Sequence, residues 1–161
     1  AAQSKAGRSA FQAYQESRRI AHGTGQKMAA LSQLLADEHG RRTIVFTHDN
    51  DTAYRISKRF LVPCISHQTD VKERRSILDA FDEGTLPVIV TSRVLNEGVD
   101  MPSAEVAIVL SGTGTVREHV QRLGRILRPQ AGKQAVLYEV VAADTAEINT
   151  SRRRRRHDAY R

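Results

Sequence analysis

Residues 43–92 read TIVFTHDNDTAYRISKRFLVPCISHQTDVKERRSILDAFDEGTLPVIVTS, and this stretch decides the fold. Three short apolar runs rich in β-branched residues lie in it, at 43–47, 61–65 and 87–91. Such runs favour strands, whereas the longer polar–apolar stretches between them, at 50–60 and 70–83, favour helices. Continuous apolar strands that alternate with amphipathic helices are typical of a parallel sheet covered on both faces.

The same alternation continues on both sides of this stretch. Two further apolar runs, at 105–110 and 135–141, predict strands, and 115–127 predicts a helix between them. On the N-terminal side, 8–22 and 26–39 have helical spacing. The chain is therefore predicted to be an α/β domain. In a parallel sheet, functional groups gather in loops at the carboxyl ends of the strands, so the loops of interest are 47–50, 66–70, 91–102 and 111–115.

The charge is concentrated at one end of the 161-residue chain. Lys and Arg total 25 against 18 Asp and Glu, which gives a net charge of +7, and 20 of the basic residues are Arg. Residues 152–161 supply +5 of this charge and the other 151 residues only +2. This basic tail is either a solvated end or a site of sequence-independent phosphate contact.

Several classes of protein and site are excluded by the sequence. No apolar run approaches the roughly 20 residues of a membrane span, so we expect no membrane association. Cys64 is the single cysteine, so no internal disulfide and no cysteine zinc cluster can form, and a cytoplasmic protein is expected. The six His residues lack the spacing of metal ligands. The acidic triplet at 37–39 ends a helical segment and indicates a solvated helix end rather than a metal motif.

Residues 120–129, VQRLGRILRP, place polar side chains on one helix face. Gln121, Arg125 and Arg128 lie opposite an apolar stripe that contains Leu123 and Leu127. Two guanidinium groups held side by side suit the charge on a transferring phosphoryl group. An ordinary solvated amphipathic helix shows the same pattern, so this segment alone leaves both interpretations open.

Residues 88–102, VIVTSRVLNEGVDMP, combine a buried strand with a polar turn. Thr91 or Ser92 could donate a hydrogen bond to a nucleic-acid phosphate without reading sequence. Gly98 permits close backbone approach, and Asp100 could accept from a ribose hydroxyl. The structural alternative is a strand followed by a capped turn.

Taken together, these segments resemble the second RecA-like domain of superfamily 2 helicases. TIVFT at 43–47 matches motif IV, TSRVLNEGVDMP at 91–102 matches motif V, and QRLGRILR at 121–128 matches motif VI. The longer strings QRLGRILRP, AVLYEVV and NTSRRRRR are similar to the XPB/Ssl2 branch. The resemblance covers roughly residues 10–157, and it implies a RecA-like parallel sheet flanked by helices.

The resemblance also implies roles on the nucleotide side. In such helicases two RecA-like domains clamp one ATP with Mg²⁺, and their cycles of closure move the protein along DNA. Arg125 and Arg128 would reach the γ-phosphate, and Gln121 would organise the nucleotide-side network. Gly98 and Asp100 would couple to the nucleotide. The P-loop, the DExH motif and the Mg²⁺ ligands belong to the first RecA-like domain, so no metal site is expected in this chain.

On the DNA side, the resemblance implies that Thr91, with Ser92 beside it, contacts the sugar–phosphate backbone of the bound DNA strand. Thr47 and the loop at 66–69, which contains His67, lie where the family grips DNA. The chain is thus expected to be the C-terminal part of a longer ATP-dependent DNA helicase or translocase that acts in repair or transcription. By itself it should hydrolyse ATP negligibly.

The remaining expectations concern domains, partners and alternatives. We expect a helical lead-in at 1–40, the RecA-like domain at 41–150 and the basic tail at 151–161. Expected partners are DNA, the first RecA-like domain, and a nuclease or a transcription/repair complex; the location is cytoplasmic for an archaeal or bacterial source and nuclear for a eukaryotic one. The alternatives are half of an RNA helicase, half of a double-strand DNA translocase, or a non-catalytic RecA-like nucleic-acid-binding module.

Overall fold

Five parallel strands form one sheet in the part of the chain that the structure, a computed structural model, describes: residues 14, 25–92, 103–110, 132 and 135–142. The strands are β1 (Thr43–Phe46), β2 (Cys64–Ile65), β3 (Val88–Thr91), β4 (Val106–Val109) and β5 (Val136–Glu139). Their order in the sheet is β2-β3-β1-β4-β5. All four neighbouring pairs are parallel, so the predicted parallel α/β sheet is confirmed.

Three helices flank the sheet within the described residues: α1 (Gly25–Asp37), α2 (Asn50–Phe60) and α3 (Val71–Asp82). Aspartates cap two of them, because Asp49 accepts from the backbone N–H of Thr52 at 2.7 Å and Asp70 from that of Lys72 at 2.9 Å. The helices predicted at 8–22 and 115–127 lie outside the described residues, apart from Tyr14, which is helical.

The second strand is shorter than its apolar run. Residues 61–65 predict a strand of five, but only Cys64 and Ile65 are paired. Leu61 adopts a left-handed conformation with φ 54° at the end of α2, and Pro63 has no N–H to donate to a neighbouring strand. The chain therefore joins the sheet only at Pro63, whose carbonyl accepts from the Val90 N–H of β3 at 2.9 Å.

The core has two layers separated by the sheet. On one face, Ile44 and Phe46 of β1 belong to a buried cluster that includes Phe81 of α3. On the other face, Val45 belongs to a cluster with Leu31 of α1 and with residues of α2. Because successive side chains of a strand point to opposite faces and all four residues of β1 are buried, β1 is covered on both sides.

The residue that follows α1 is not solvated as its sequence indicates. The Tyr138 hydroxyl of β5 donates to the Glu38 carboxylate, and Arg41 donates to the same carboxylate at 2.7 Å. These two contacts lower the pKa of Glu38, the Tyr138 hydrogen bond most strongly. The Glu38 side chain keeps only 11% of its exposure. The interpretation of 37–39 as a solvated helix end is therefore wrong for Glu38, which ties α1 to the sheet edge.

Candidate nucleic-acid interface

A hydroxyl residue follows each of three neighbouring strands. Thr47 comes directly after β1, Ser66 after β2 and Ser92 after β3. The register places Phe46 opposite Thr91, and Thr91 opposite Ile65, so the three strands end side by side. All three hydroxyl residues are buried. The carboxyl edge of the sheet therefore gathers polar groups that need internal partners, since buried polar groups are almost always hydrogen-bonded.

Asn50, the first residue of α2, joins two of these strand ends. Its Oδ1 accepts from the Ser92 hydroxyl after β3, and its Nδ2 lies 2.9 Å from Nδ1 of His67 in the loop after β2. An amide nitrogen can only donate, so His67 Nδ1 accepts and a neutral His67 ring carries its hydrogen on Nε2. Asn50 thus links the loop after β2, through His67, to the end of β3.

Tyr54, one turn along α2, holds the same loop from a second point. Its hydroxyl lies 2.8 Å from Ser66 Oγ and donates to Gln68 Oε1 at 3.1 Å. Within the loop, the Ser66 backbone N–H donates to Thr69 Oγ1 at 2.9 Å. The loop is fixed by side chains, while His67 and Gln68 remain exposed.

The four described site residues lie at this one edge, but their exposure differs. Thr47 donates to the backbone carbonyl of Asp49 at 2.9 Å, and Thr91 to that of Ser92 at 2.7 Å. Both threonines, with Ser92, are buried, whereas His67 is exposed. In this arrangement the buried hydroxyls shape the loops, and His67 offers a donor to a ligand. Direct phosphate contact by Thr47, Thr91 and Ser92 stays a prediction.

The predicted nucleotide-side residues lie outside the described residues. This group comprises Gly98, Asp100, Gln121, Arg125 and Arg128. Their assignment stays a prediction that rests on the sequence motifs.

Sequence reasoning missed Asn50 and Tyr54, the two residues that organise the edge. Both belong to a helix whose sequence signals only its cap and its apolar face. Their partners lie 17 and 42 residues away for Asn50, and 12 and 14 residues away for Tyr54. The one available signal is position, because Asn50 ends the loop at 47–50.

Neither nucleophilic nor metal chemistry is visible in the described ranges. Burial raises the pKa of the Cys64 thiol to about 11, so it remains protonated and unreactive near neutral pH. No group of three or more His, Cys, Asp or Glu side chains in these ranges could hold a metal ion. Nor is any described helix long and apolar enough to cross a membrane.

Comparison with known proteins gives a family match over most of this architecture. The model of the helicase conserved C-terminal domain matches residues 26–130, which contain all three motif segments. The DNA 3'-5' translocase XPB2 of Sulfurisphaera tokodaii is 47% identical over 155 residues, which are 96% of this chain and 35% of that protein. The DNA 3'-5' helicase XPB of Mycobacterium tuberculosis is 36% identical over 88% of this chain and 26% of its own length.

A eukaryotic relative is more distant. The TFIIH basal transcription factor complex helicase/translocase XPB subunit of Trypanosoma brucei brucei is 33% identical over 74% of this chain and 14% of its own length. This chain thus spans about a third or less of the curated relatives it matches.

Solved structures agree on the fold. The C-terminal domain of the DEAD-box protein Dbp5 superposes with a TM-score of 0.73 at 21% identity, over 83% of this chain and 79% of that one. The C-terminal part of the Fun30 ATPase domain gives 0.68 at 17% identity, over 81% and 46%. Similarity at this level of identity supports the RecA-like fold alone. With the family match and the sequence relatives, it follows that this chain belongs to the helicase conserved C-terminal domain family, as an XPB-type member.

Proposed function

We propose that this chain is the second RecA-like half of an ATP-dependent DNA helicase or translocase of the XPB type. In this role it couples ATP hydrolysis to DNA opening in repair or transcription. The observation that carries the proposal is the family match over residues 26–130, because it joins the strand-end motifs and the arginine motif in one domain. The chain then supplies the DNA-facing edge and one wall of the nucleotide site.

The polar edge of the sheet fits a DNA backbone. Phosphate contacts position a protein on nucleic acid without reading sequence, and side-chain N–H groups and hydroxyls make many of them. His67 is exposed, and Asn50 holds its Nδ1, which leaves Nε2 as the ring nitrogen that can contact a phosphate. Buried Ser92 and Thr47 would support this contact by holding the loops.

The predicted nucleotide-side donor set fits phosphate oxygens. Guanidinium groups are cationic and can only donate hydrogen bonds, so Arg125 and Arg128 suit ATP phosphates and not Mg²⁺. Gln121, Gly98 and Asp100 would complete this wall. ATP with Mg²⁺ supplies the phosphoryl-transfer chemistry when bound, and the metal ligands would come from the first RecA-like domain.

Partners and location follow the same proposal. The first RecA-like domain and DNA are the required partners. A transcription/repair complex is proposed as a further partner because one relative is named as a TFIIH subunit; a nuclease is the alternative. We propose a cytoplasmic location in an archaeal or bacterial cell and a nuclear one in a eukaryotic cell.

ATP turnover tests the proposal. The chain alone should hydrolyse ATP at background rate with and without DNA, because it provides one wall of a two-walled site. The full-length protein should be stimulated by DNA more than by RNA. Robust ATP hydrolysis by the isolated chain would contradict the proposal. Stronger stimulation of the full-length protein by RNA than by DNA would favour the RNA helicase alternative.

The Asn50→Ala variant tests the polar edge. Loss of the amide frees His67 and leaves the buried Ser92 hydroxyl without its acceptor, which should weaken single-stranded DNA binding by about tenfold. Fluorescence anisotropy of the full-length protein with a labelled oligonucleotide measures this.

The matched control for Asn50→Ala is Gln33→Ala. It also removes a side-chain amide, one that donates to Asp37 at 2.8 Å on the exposed surface of α1. DNA affinity should stay within about twofold, because exposed hydrogen bonds contribute little. Equal affinities for the Asn50 variant and the native protein would show that the Asn50 bridge does not support DNA binding.

A further inference from the structure

Three cations share one face of α2. Arg55, Lys58 and Arg59 have the i, i+3 and i+4 spacing that places side chains together on a helix. With Met28 of α1, they line an open cavity of about 250 Å³ between the two helices. We call this cavity, lined by Met28, Arg55, Lys58 and Arg59, the α2 basic groove.

The cations of the α2 basic groove have no acidic partner among the described residues. Elsewhere in those residues, Arg41 pairs with Glu38, Arg42 with Glu105 and Arg75 with Asp79. Like charges at this spacing destabilise a helix. The helix dipole compensates Lys58 and Arg59 in the last turn, but not Arg55 in the middle. The groove therefore holds a positive charge that an anionic partner would neutralise.

An exposed apolar side chain follows the same helix. Leu61 is 90% exposed and has a φ of 54°, a conformation that favours glycine and strains leucine. Its backbone N–H donates to the Ser57 carbonyl, while the Ser57 hydroxyl donates to Val62 O at 2.6 Å. Leu61 is thus held in an exposed position at the end of α2. Its apolar side chain makes no favourable interaction there with water, nor would it with a phosphate group.

We propose that the α2 basic groove and Leu61 form a docking surface for an acidic protein segment that carries an apolar side chain. The three cations favour acidic groups in the partner through charge complementarity. The exposed Leu61 favours a protein over DNA, because a phosphate backbone makes no stabilising contact with an apolar side chain. At 1.5 Å and about 100° per residue, Arg55 lies about 8 Å along α2 and about 140° around it from Asn50, and Arg59 lies about 14 Å along and about 180° around. The surface is therefore separate from the proposed DNA-binding edge and goes beyond the proposed helicase function.

The first test uses charge reversal. The probe is a labelled synthetic peptide with Leu at every third position and Glu or Asp elsewhere, titrated into the chain by fluorescence anisotropy. The Lys58→Glu, Arg59→Glu double variant should bind the peptide about tenfold more weakly than the native chain. The matched control is the Lys72→Glu, Arg75→Glu double variant of α3, which makes the same charge change at exposed positions and should stay within about twofold.

Single-stranded DNA is titrated into the same variants. Retention of DNA affinity by the α2 variant, with loss of peptide binding, supports the proposal. If the α2 variant loses DNA affinity and peptide affinity equally, the groove is a nucleic-acid-binding surface. If the α3 control loses as much peptide affinity as the α2 variant, the effect is due to net charge. Either result overturns the proposal, as does failure of the native chain to bind the peptide.

The Leu61→Gly variant separates docking from structure. Glycine adopts positive φ without strain, so the variant should raise the unfolding midpoint by about 2–4 °C. It should nevertheless weaken peptide binding by about fivefold, since the apolar contact is lost. A gain in stability without any loss of peptide affinity would remove Leu61 from the docking surface and overturn the proposal.

Discussion

The Arg125→Ala and Arg128→Ala variants of the full-length protein are expected to lose about a thousandfold or more in DNA-stimulated ATP turnover. Each removes a guanidinium group that, in the proposed function, neutralises charge on the transferring phosphoryl group. Because that charge is greatest in the transition state, kcat should fall far more than the affinity for ATP. A coupled assay of phosphate release at saturating DNA gives the value.

DNA binding separates these variants from damaged proteins. Each should bind single-stranded DNA within about twofold of the native protein, since an arginine on the nucleotide side makes no phosphate contact with the strand. Arg75→Ala is the control, because it removes an exposed arginine of α3 whose ion-pair partner among the described residues is Asp79. Unchanged turnover in both variants would favour the non-catalytic binding module over the motor.

The Phe81→Ala variant of this chain should lose about 3–5 kcal/mol of unfolding free energy. Phe81 has 0% exposure and lies in the cluster that contains Phe46, Ile65 and Ile89. Truncation leaves a cavity between α3 and three strands of a rigid sheet, which cannot collapse to fill it. Urea unfolding followed by circular dichroism measures the change in midpoint at constant slope.

Val71→Ala is the matched control for this prediction. Val71 lies on the same helix but is 75% exposed, so the change should remain within about 0.5 kcal/mol. A loss below about 1 kcal/mol for Phe81→Ala would mean that α3 does not cover the sheet through this side chain.

The fold was largely predictable because its signals are local. Each apolar run rich in β-branched residues became a strand, and Asp49 and Asp70 mark where two helices begin. The order of the strands was not predictable from such signals, because the pairing of β1 with both β3 and β4 depends on contacts between distant segments. The shortening of β2 had a local cause in Pro63. A strand predicted from the apolar run alone does not take the missing N–H of this proline into account.

The position of the candidate site was predictable from the sequence, but the hydrogen bonds that connect its residues were not. Strand-end reasoning predicted the loops of interest, and the family resemblance assigned Thr47, His67, Thr91 and Ser92 within them. The structure brings these four residues to one edge. The bridge through Asn50 joins residues 17 and 42 positions away, and no periodic pattern encodes such a pair. For the same reason Glu38 was interpreted as solvated, since its partner Tyr138 lies 100 positions along the chain.

This last contact has a consequence for the order in which the domain is completed during synthesis. α1 precedes all five strands along the chain, yet the acceptor that follows it, Glu38, meets Tyr138 only after β5 has emerged from the ribosome. Until then, among the described residues, the outer side of β4 lacks its neighbouring strand, because β5 is its partner there. A nascent chain that stalls before residue 136 therefore carries an open sheet edge, which is a template for pairing with another chain.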